Sequence, residues 1–347
     1  MPKIQLRSLR IGGVFLMPSL FRAGLAIGSS IQVEKLRRIP PTGQVLVHEG
    51  QTVSYDQAVG YMNPQGYVVN INLANEIDVS PFDVPGSMLV PVGHTVRRGE
   101  IIAAHRTFHS LHEYVSPEDG VLEDVSPFTG RISIRAYPLA VRAMYPGLVK
   151  RIVPGEGVII ASQGALLQGI FGVGGFRTGQ LSVVTKAENQ PLTPDLIKPE
   201  HEGCIIAAGC DPSLASLERA RRFGIKGLVV GSIRKSVLDA FLGYALGTAV
   251  TGLERTPTIV LTEGFGCVPM LETTFALLTS LHGFFAIVCG ATQVRAGIIR
   301  PELFVPHLGT PLPRISRSPE GLRVGQRVRL IRRPRFGQLA TIVDAIP

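Results

Sequence analysis

The sequence predicts a multidomain β plus α/β protein, with a β-rich first half, a parallel α/β second part and a small β module at the C-terminus. Three observations carry this prediction. Two internal repeats of hairpin pattern lie before residue 160, strands alternate with helices between Gly203 and Ile299, and a strand–turn–strand pattern closes the chain. At 347 residues there is room for two or three domains with separate cores. Only 18% of residues are charged and 6% aromatic, against 39 Gly and 26 Pro, which excludes a disordered chain and favours buried β structure.

The repeats place the first domain over residues 1–184. Leu46-Val47-His48-Glu49-Gly50-Gln51-Thr52-Val53 aligns with Leu89-Val90-Pro91-Val92-Gly93-His94-Thr95-Val96 at an offset of 43. Gly120-Val121-Leu122-Glu123-Asp124-Val125 aligns with Gly147-Leu148-Val149-Lys150-Arg151-Ile152 at an offset of 27, and each copy then reaches a glycine, Gly130 or Gly157. Glycine turns between short apolar runs are the pattern of β-hairpins. The glycine-dense stretch Gly164 to Gly179 fits bulges and turns closing that domain; a phosphate-cradling loop is the alternative, and no helix start follows it. Polar residues from Thr185 to Glu202 are expected to be a linker.

The second domain is predicted over 203–300. The apolar run at residues 204–208 and the apolar-rich stretches at 226–230, 258–261 and 284–288 are expected to be doubly buried parallel strands of a Rossmann-like sheet. Helices are expected between them over Pro212–Phe223, Ile233–Leu246 and Val268–Leu281, the first capped by Asp211 with Pro212 at its first position. The third module is predicted over 320–347. From Arg314 onward eight arginines, and no lysine, face only Glu320 and Asp344, a net +6 of the chain's +9. Such a segment attracts polyanions, and arginine makes bidentate phosphate contacts that lysine cannot. A basic surface that only maintains solubility is the plainer alternative.

Cys204, Cys210, Cys267 and Cys289 form no CxxC pair and fit buried thiols of a reducing compartment. Lys3, Arg7 and Arg10 precede an apolar run from Ile11 to Phe21, but Pro18 and Arg22 interrupt it, so a strand pair is expected rather than a leader. The longest apolar stretch, Phe265 to Ala291, contains Pro269, Glu272 and His282, and no integral membrane span is expected. The expected location is the cytoplasm.

The stretch "LVPVGHTVRRGEIIA", followed by "SPEDGVLEDVSPFTGRISIR", resembles the biotinyl/lipoyl-like barrel-sandwich hybrid over roughly residues 40–160. Carriers of that family are modified on a hairpin lysine, whereas no lysine stands between Lys35 and Lys150 here. The resemblance therefore implies an unmodified docking module. Similar modules occur in electron-transfer complexes of the Rnf type, which keeps a peripheral electron-transfer subunit open as an alternative. At the C-terminus, "GLRVGQRVRLIRRPRFGQLATIVDAIP" resembles the KOW motif, with Gly337 at the central glycine and Ala340 at the second small position. That resemblance implies an SH3-like barrel that contacts RNA or protein.

In an open parallel sheet, ligands sit at the carboxyl ends of the strands. The candidate ligand-binding residues are therefore Gly209, Asp211, Gly231, Ser232, Arg234, Gly264, Gly266, Thr292, Gln293 and Arg295. Glu263, directly after an apolar run, is the candidate general base, with a helix-capping carboxylate as the alternative. Arg327, Arg329, Arg332, Arg333 and Arg335 are the candidate nucleic-acid contacts. His105, His109 and His112 are closely spaced beside Glu113, but no helix places them on one face, so they are expected to be surface histidines and no metal site is expected. No phosphate-loop, dinucleotide, zinc-protease or nucleophile-elbow motif is present, and the pattern specifies no cofactor. The expectation is a non-enzymatic binding or scaffold protein contacting RNA or the ribosome or polymerase through its basic module, with its oligomeric state left open. An enzyme or cofactor-dependent subunit binding an anionic small molecule in the α/β crevice is the alternative.

Overall fold

The computed structural model describes residues 25–106, 110–245, 249–250, 257–293, 299–307, 324–325, 327–329 and 339–343. The protein is mostly β, 45% strand and 16% helix, so pairing between distant segments carries most of the fold. It forms two compact units, one of residues 34–162 and one of the residues up to Val33 and from Gln163 onward. No described helix is long and apolar enough to cross a membrane. The expected N-terminal strand pair before residue 25 lies outside the described residues.

The unit of residues 34–162 is a duplication in which one copy is inserted into a hairpin of the other. The outer copy starts with β1 (Ile27–Arg38), whose residues before Glu34 belong to the second unit, β2 (Gln44–Val45), β3 (Thr52–Val53) and β4 (Ala58–Tyr61). The inserted copy follows: β5 (Tyr67–Asn72), α1 (Leu73–Glu76), α2 (Val84–Ser87), β6 (Thr95–Val96), β7 (Ile101–Arg106), β8 (Leu111–Val115), β9 (Gly120–Val125) and β10 (Arg131–Ala136). The outer copy then resumes with β11 (Ala140–Arg142), β12 (Gly147–Val153) and β13 (Gly157–Gln168), whose last residues belong to the second unit.

Pairing registers establish the equivalence. In the outer copy Val53 faces Gly147 and Thr52 faces Leu148; in the inserted copy Val96 faces Gly120 and Thr95 faces Val121. Ala58 faces Arg142 and Gly60 faces Val141, as Ile101 faces Val115 and Ala103 faces Tyr114. Both registers shift by one residue at the same step, so even the irregularity is duplicated. Loop bonds follow suit. Gly50 N–H donates to Val149 O at 2.8 Å and Gly93 N–H to Leu122 O at 2.7 Å, while Leu46 N–H reaches Val59 O and Leu89 N–H reaches Ile102 O, both at 2.9 Å. The two sequence offsets are thus two sides of one event.

Each copy has its own core. Val53, Val59, Val149 and Ile160 pack in the outer copy; Val96, Ile102, Leu122 and Ile134 pack in the inserted one. Glycine is required where the strands cross. A Cβ on Gly147 would lie 2.1 Å from Ala161 O, and one on the equivalent Gly120 would lie 2.3 Å from Arg135 O.

The second unit contains the helices that the sequence predicts. Its elements are β14 (Phe171–Val173), β15 (Phe176–Val183), β16 (Ile205–Ala208), α3 (Leu214–Arg222), β17 (Gly227–Ile233), α4 (Lys235–Leu242), β18 (Ala249–Val250), β19 (Thr258–Phe265), α5 (Glu272–Ser280), β20 (Phe285–Cys289), β21 (Thr292–Gln293) and β22 (Glu302–Pro306). Strands β15, β16, β17 and β19 pair in parallel, in that order. Alternate residues face opposite sides. Ile205, Ala207, Val229 and Val260 pack with Phe275, Leu277 and Leu278 of α5, while Ile206, Ala208, Leu228 and Val230 pack with Leu217 of α3 and Leu238 of α4. Burial on both faces explains the continuous apolar runs.

Several expectations are corrected. The sheet is mixed, not parallel: β14 runs antiparallel to β19, and β20 runs antiparallel to both β15 and β22. The glycine-dense stretch contributes β14 and β15 to this unit instead of closing the N-terminal domain. Gly172 permits the close approach there, since a Cβ would lie 2.5 Å from Pro301 Cβ. Residues 185–202 are no bare linker, because Leu192 and Ile197 are fully buried in the core against α3. Helix α3 is capped by Ser213, whose hydroxyl accepts from Ser216 N–H at 3.1 Å; Asp211 stands at φ 35°, outside the extended region that a cap occupies. Helix α4 stops at Leu242 because Gly243 turns left-handed at φ 79°, and α5 starts at Glu272 because Val268 and Met270 N–H are held outside it.

At the C-terminus β23 (Arg327–Arg329) pairs antiparallel with β24 (Leu339–Thr341), Val328 opposite Ala340. Gly325 N–H donates to Ile342 O at 2.7 Å.

Candidate functional site

The candidate site lies at the carboxyl ends of β16, β17 and β19. The three chains leave the sheet together there. Gly231 N–H donates to Gly209 O and Asp211 N–H to Ser232 O, both at 2.9 Å, and Gly266 N–H donates to Ile233 O at 2.9 Å. Ser232 is paired with Gly264. Gly209, Asp211, Gly231, Ser232, Arg234, Glu263, Gly264 and Gly266 are therefore one neighbourhood.

Most of that neighbourhood is filled by the protein's own backbone. A Cβ on Gly209 would lie 2.6 Å from Gln190 O and 2.7 Å from Ala187 O and Glu188 O. Thr185 Oγ1 accepts from Gly209 N–H at 3.0 Å. Ser232 Oγ donates to Val268 O at 2.8 Å and accepts from Val268 N–H at 2.7 Å, which pins the segment before α5 over the strand end. Strand order supplies the physical reason. The four parallel strands succeed one another in a single direction, so no reversal among them splays two loops apart to open a crevice.

Glu263 is 5% exposed, and its Oε1 accepts from Leu271 N–H at 3.1 Å, at the start of α5. This is the position of a helix-capping carboxylate, where negative charge meets the positive end of the helix. What remains open is a rim. Arg234 Nε donates to Asp211 Oδ1 at 3.0 Å, and the exposed Cys267 thiol donates to Asp211 Oδ2 at 3.4 Å. Burial raises the Cys267 pKa first, followed by the hydrogen bond to Asp211 and its charge; Arg234 acts in the opposite direction. The buried Cys210 thiol, which donates to Asn189 O at 3.3 Å, is also raised, chiefly by burial and then by Asp211. Both sulfurs are thus held as thiols, poor nucleophiles at neutral pH. Replacing Asp211 by Asn should lower the Cys267 pKa and speed its alkylation by iodoacetamide at pH 8, by up to about tenfold per pKa unit removed. An unchanged rate would show that Asp211 does not control the thiol. The cysteines escaped the sequence analysis as site residues because isolated cysteines in apolar runs carry the pattern of core packing.

Thr292 and Gln293 are not part of this neighbourhood. Because β20 runs antiparallel to β15, with Cys289 opposite Phe176 at the start of β15, the chain after β20 emerges at the other end of the parallel strands. There Thr292 Oγ1 accepts from Gly172 N–H at 2.9 Å, a buried structural bond, and Gln293 pairs with Ala249. Arg295 lies outside the described residues, as do Arg332, Arg333 and Arg335, while Arg327 and Arg329 stand in β23. At the amino ends of β16 and β17, a depression of about 240 Å³ is lined by Pro199, Glu202, Arg221, Arg222, Phe223 and Gly224. Among the described residues, no group of three or more His, Cys, Asp and Glu side chains is placed to hold a metal ion. Comparison with family models, curated proteins and solved structures returned no match.

Proposed function

We propose that this chain is a cytoplasmic binding or scaffold protein without chemistry of its own, whose C-terminal KOW-type module contacts RNA. The observation that carries the reading is charge placement. A net +6 sits between Arg314 and the C-terminus, where eight arginines meet two carboxylates. The pairing of Arg327–Arg329 with Leu339–Thr341 supports it, because the segment carrying Arg332, Arg333 and Arg335 then connects two hydrogen-bonded strands. The filled carboxyl ends of β16, β17 and β19 favour binding over catalysis, since a reaction centre needs room for a substrate. The nested copies would serve as unmodified lipoyl-like docking modules, a role compatible with the absence of lysine between Lys35 and Lys150.

Fluorescence anisotropy of labelled single-stranded RNA against salt tests the reading. Binding should weaken steeply with salt. Replacing Arg329, Arg332, Arg333 and Arg335 by Gln should make the log–log salt slope shallower by about 3, at roughly 0.7 for each phosphate no longer neutralised. Equal affinity and slope in the two chains would overturn it.

A further inference from the structure

The hairpin of β7 and β8 opposes Ala104 to Glu113, His105 to His112 and Arg106 to Leu111. Directly opposed residues of an antiparallel ladder carry their side chains on the same face, with Cβ atoms about 4.5–5.5 Å apart. Two imidazoles at that separation can converge on one ion at about 2.0–2.1 Å from each nitrogen. Both histidines are half-buried. Glu113, next to His112 in the strand, points to the other face.

Two further observations separate this pair from incidental surface histidines. The duplication supplies an internal comparison. The equivalent outer-copy pair is Met62 and Leu139, whose backbones bond at 3.0 Å from Met62 N–H to Leu139 O. Those positions carry exposed apolar side chains, so the strand crossing itself does not require imidazoles. The second observation is Ser110, whose Oγ lies 2.8 Å from His112 Nε2. With Nε2–H donating to the Ser110 hydroxyl oxygen, the ring is fixed and Nδ1 is left for an ion, the role that an outer partner plays for a metal-bound histidine.

We propose that His105 and His112 chelate a divalent transition-metal ion of the copper–nickel–zinc group, with water completing the coordination and Ser110 orienting the His112 ring. A pair of imidazoles with no carboxylate or thiolate selects such ions over magnesium or calcium. His109, which falls between the two strands in the sequence, lies outside the described residues and stays unchanged in every variant of the test.

The test titrates copper(II) chloride into the full-length chain with its thiols alkylated, followed by calorimetry and by electron paramagnetic resonance. One saturable equivalent with nitrogen hyperfine structure is expected. His105→Ala and His112→Ala should each weaken it by more than the roughly 10–100-fold that loss of an outer-support partner costs, and Ser110→Ala should weaken it within that range. His94→Ala should leave it unchanged. Far-UV circular dichroism checks that each variant is folded. Absence of saturable binding by the parent chain overturns the proposal. So does undiminished affinity in either His105→Ala or His112→Ala.

Discussion

A chain in which residues 63–138 are replaced by an Asn-Gly turn should fold, with the outer copy's core intact. Deleting 76 residues from the middle of a compact unit normally destroys it, so this is the largest effect that the nested duplication forecasts. The geometry makes the deletion benign. Tyr61 faces Ala140 across the β4–β11 pair, and Met62 N–H donates to Leu139 O at 3.0 Å, so the two cut ends are already cross-strand neighbours. A two-residue Asn-Gly loop closes such a pair with the right twist. The cores do not share residues: Ile39, Val47, Val53, Val59, Val141, Ala143, Val149, Val158 and Ile160 all lie outside the deletion, and Ile71 to Ile134 of the inserted core all lie within it. Methyl resonances of Val53, Val59, Val149 and Ile160 should stay near their parent positions, with a cooperative thermal transition retained. A collapsed, poorly dispersed spectrum would mean that the copies hold each other up.

What the sequence disclosed follows from which forces act locally. The apolar runs at 204–208, 226–230 and 258–261 became β16, β17 and β19 because double burial leaves an unbroken hydrophobic string. The same string at 284–288 became β20, but hydrophobicity records burial and not direction, so its antiparallel course and the displacement of Thr292 and Gln293 were hidden. Polar composition masked the core residues Leu192 and Ile197 between 185 and 202. The two offsets were legible as repeats, yet the nesting was not, because it is expressed only in long-range pairs such as Val53 with Gly147. For the site, glycine and polar residues after β16, β17 and β19 lie together because parallel strands end on one side. Whether it is open or filled depends on residues 187–190, about 20 residues before the end of β16, and on how 268–271 fold back over the strand ends. His105 and His112 share a face only because β7 and β8 pair antiparallel in that register.

Gly231→Ala should cost more than about 3 kcal/mol, the upper end of ordinary overpacking. The backbone at Gly231 is not left-handed, so the cost is steric. The added Cβ would sit 2.6 Å from both Gly209 O and Met270 N and 3.0 Å from Met270 Cα, all backbone atoms that cannot rotate away. Relief requires moving the segment before α5, which would strain four bonds at once: Met270 N–H to Glu188 O at 3.1 Å, Leu271 N–H to Glu263 Oε1 at 3.1 Å and the two between Ser232 and Val268. Gly50→Ala provides the contrast. That residue has φ 82° with nothing within 4 Å of a Cβ, so its replacement should cost only the left-handed penalty of about 1–2 kcal/mol. Urea denaturation of the two variants measures the difference. A loss at Gly231 below that at Gly50 would show that the covering segment gives way readily, and the carboxyl ends of β16, β17 and β19 would then be an openable ligand site instead of a closed seat.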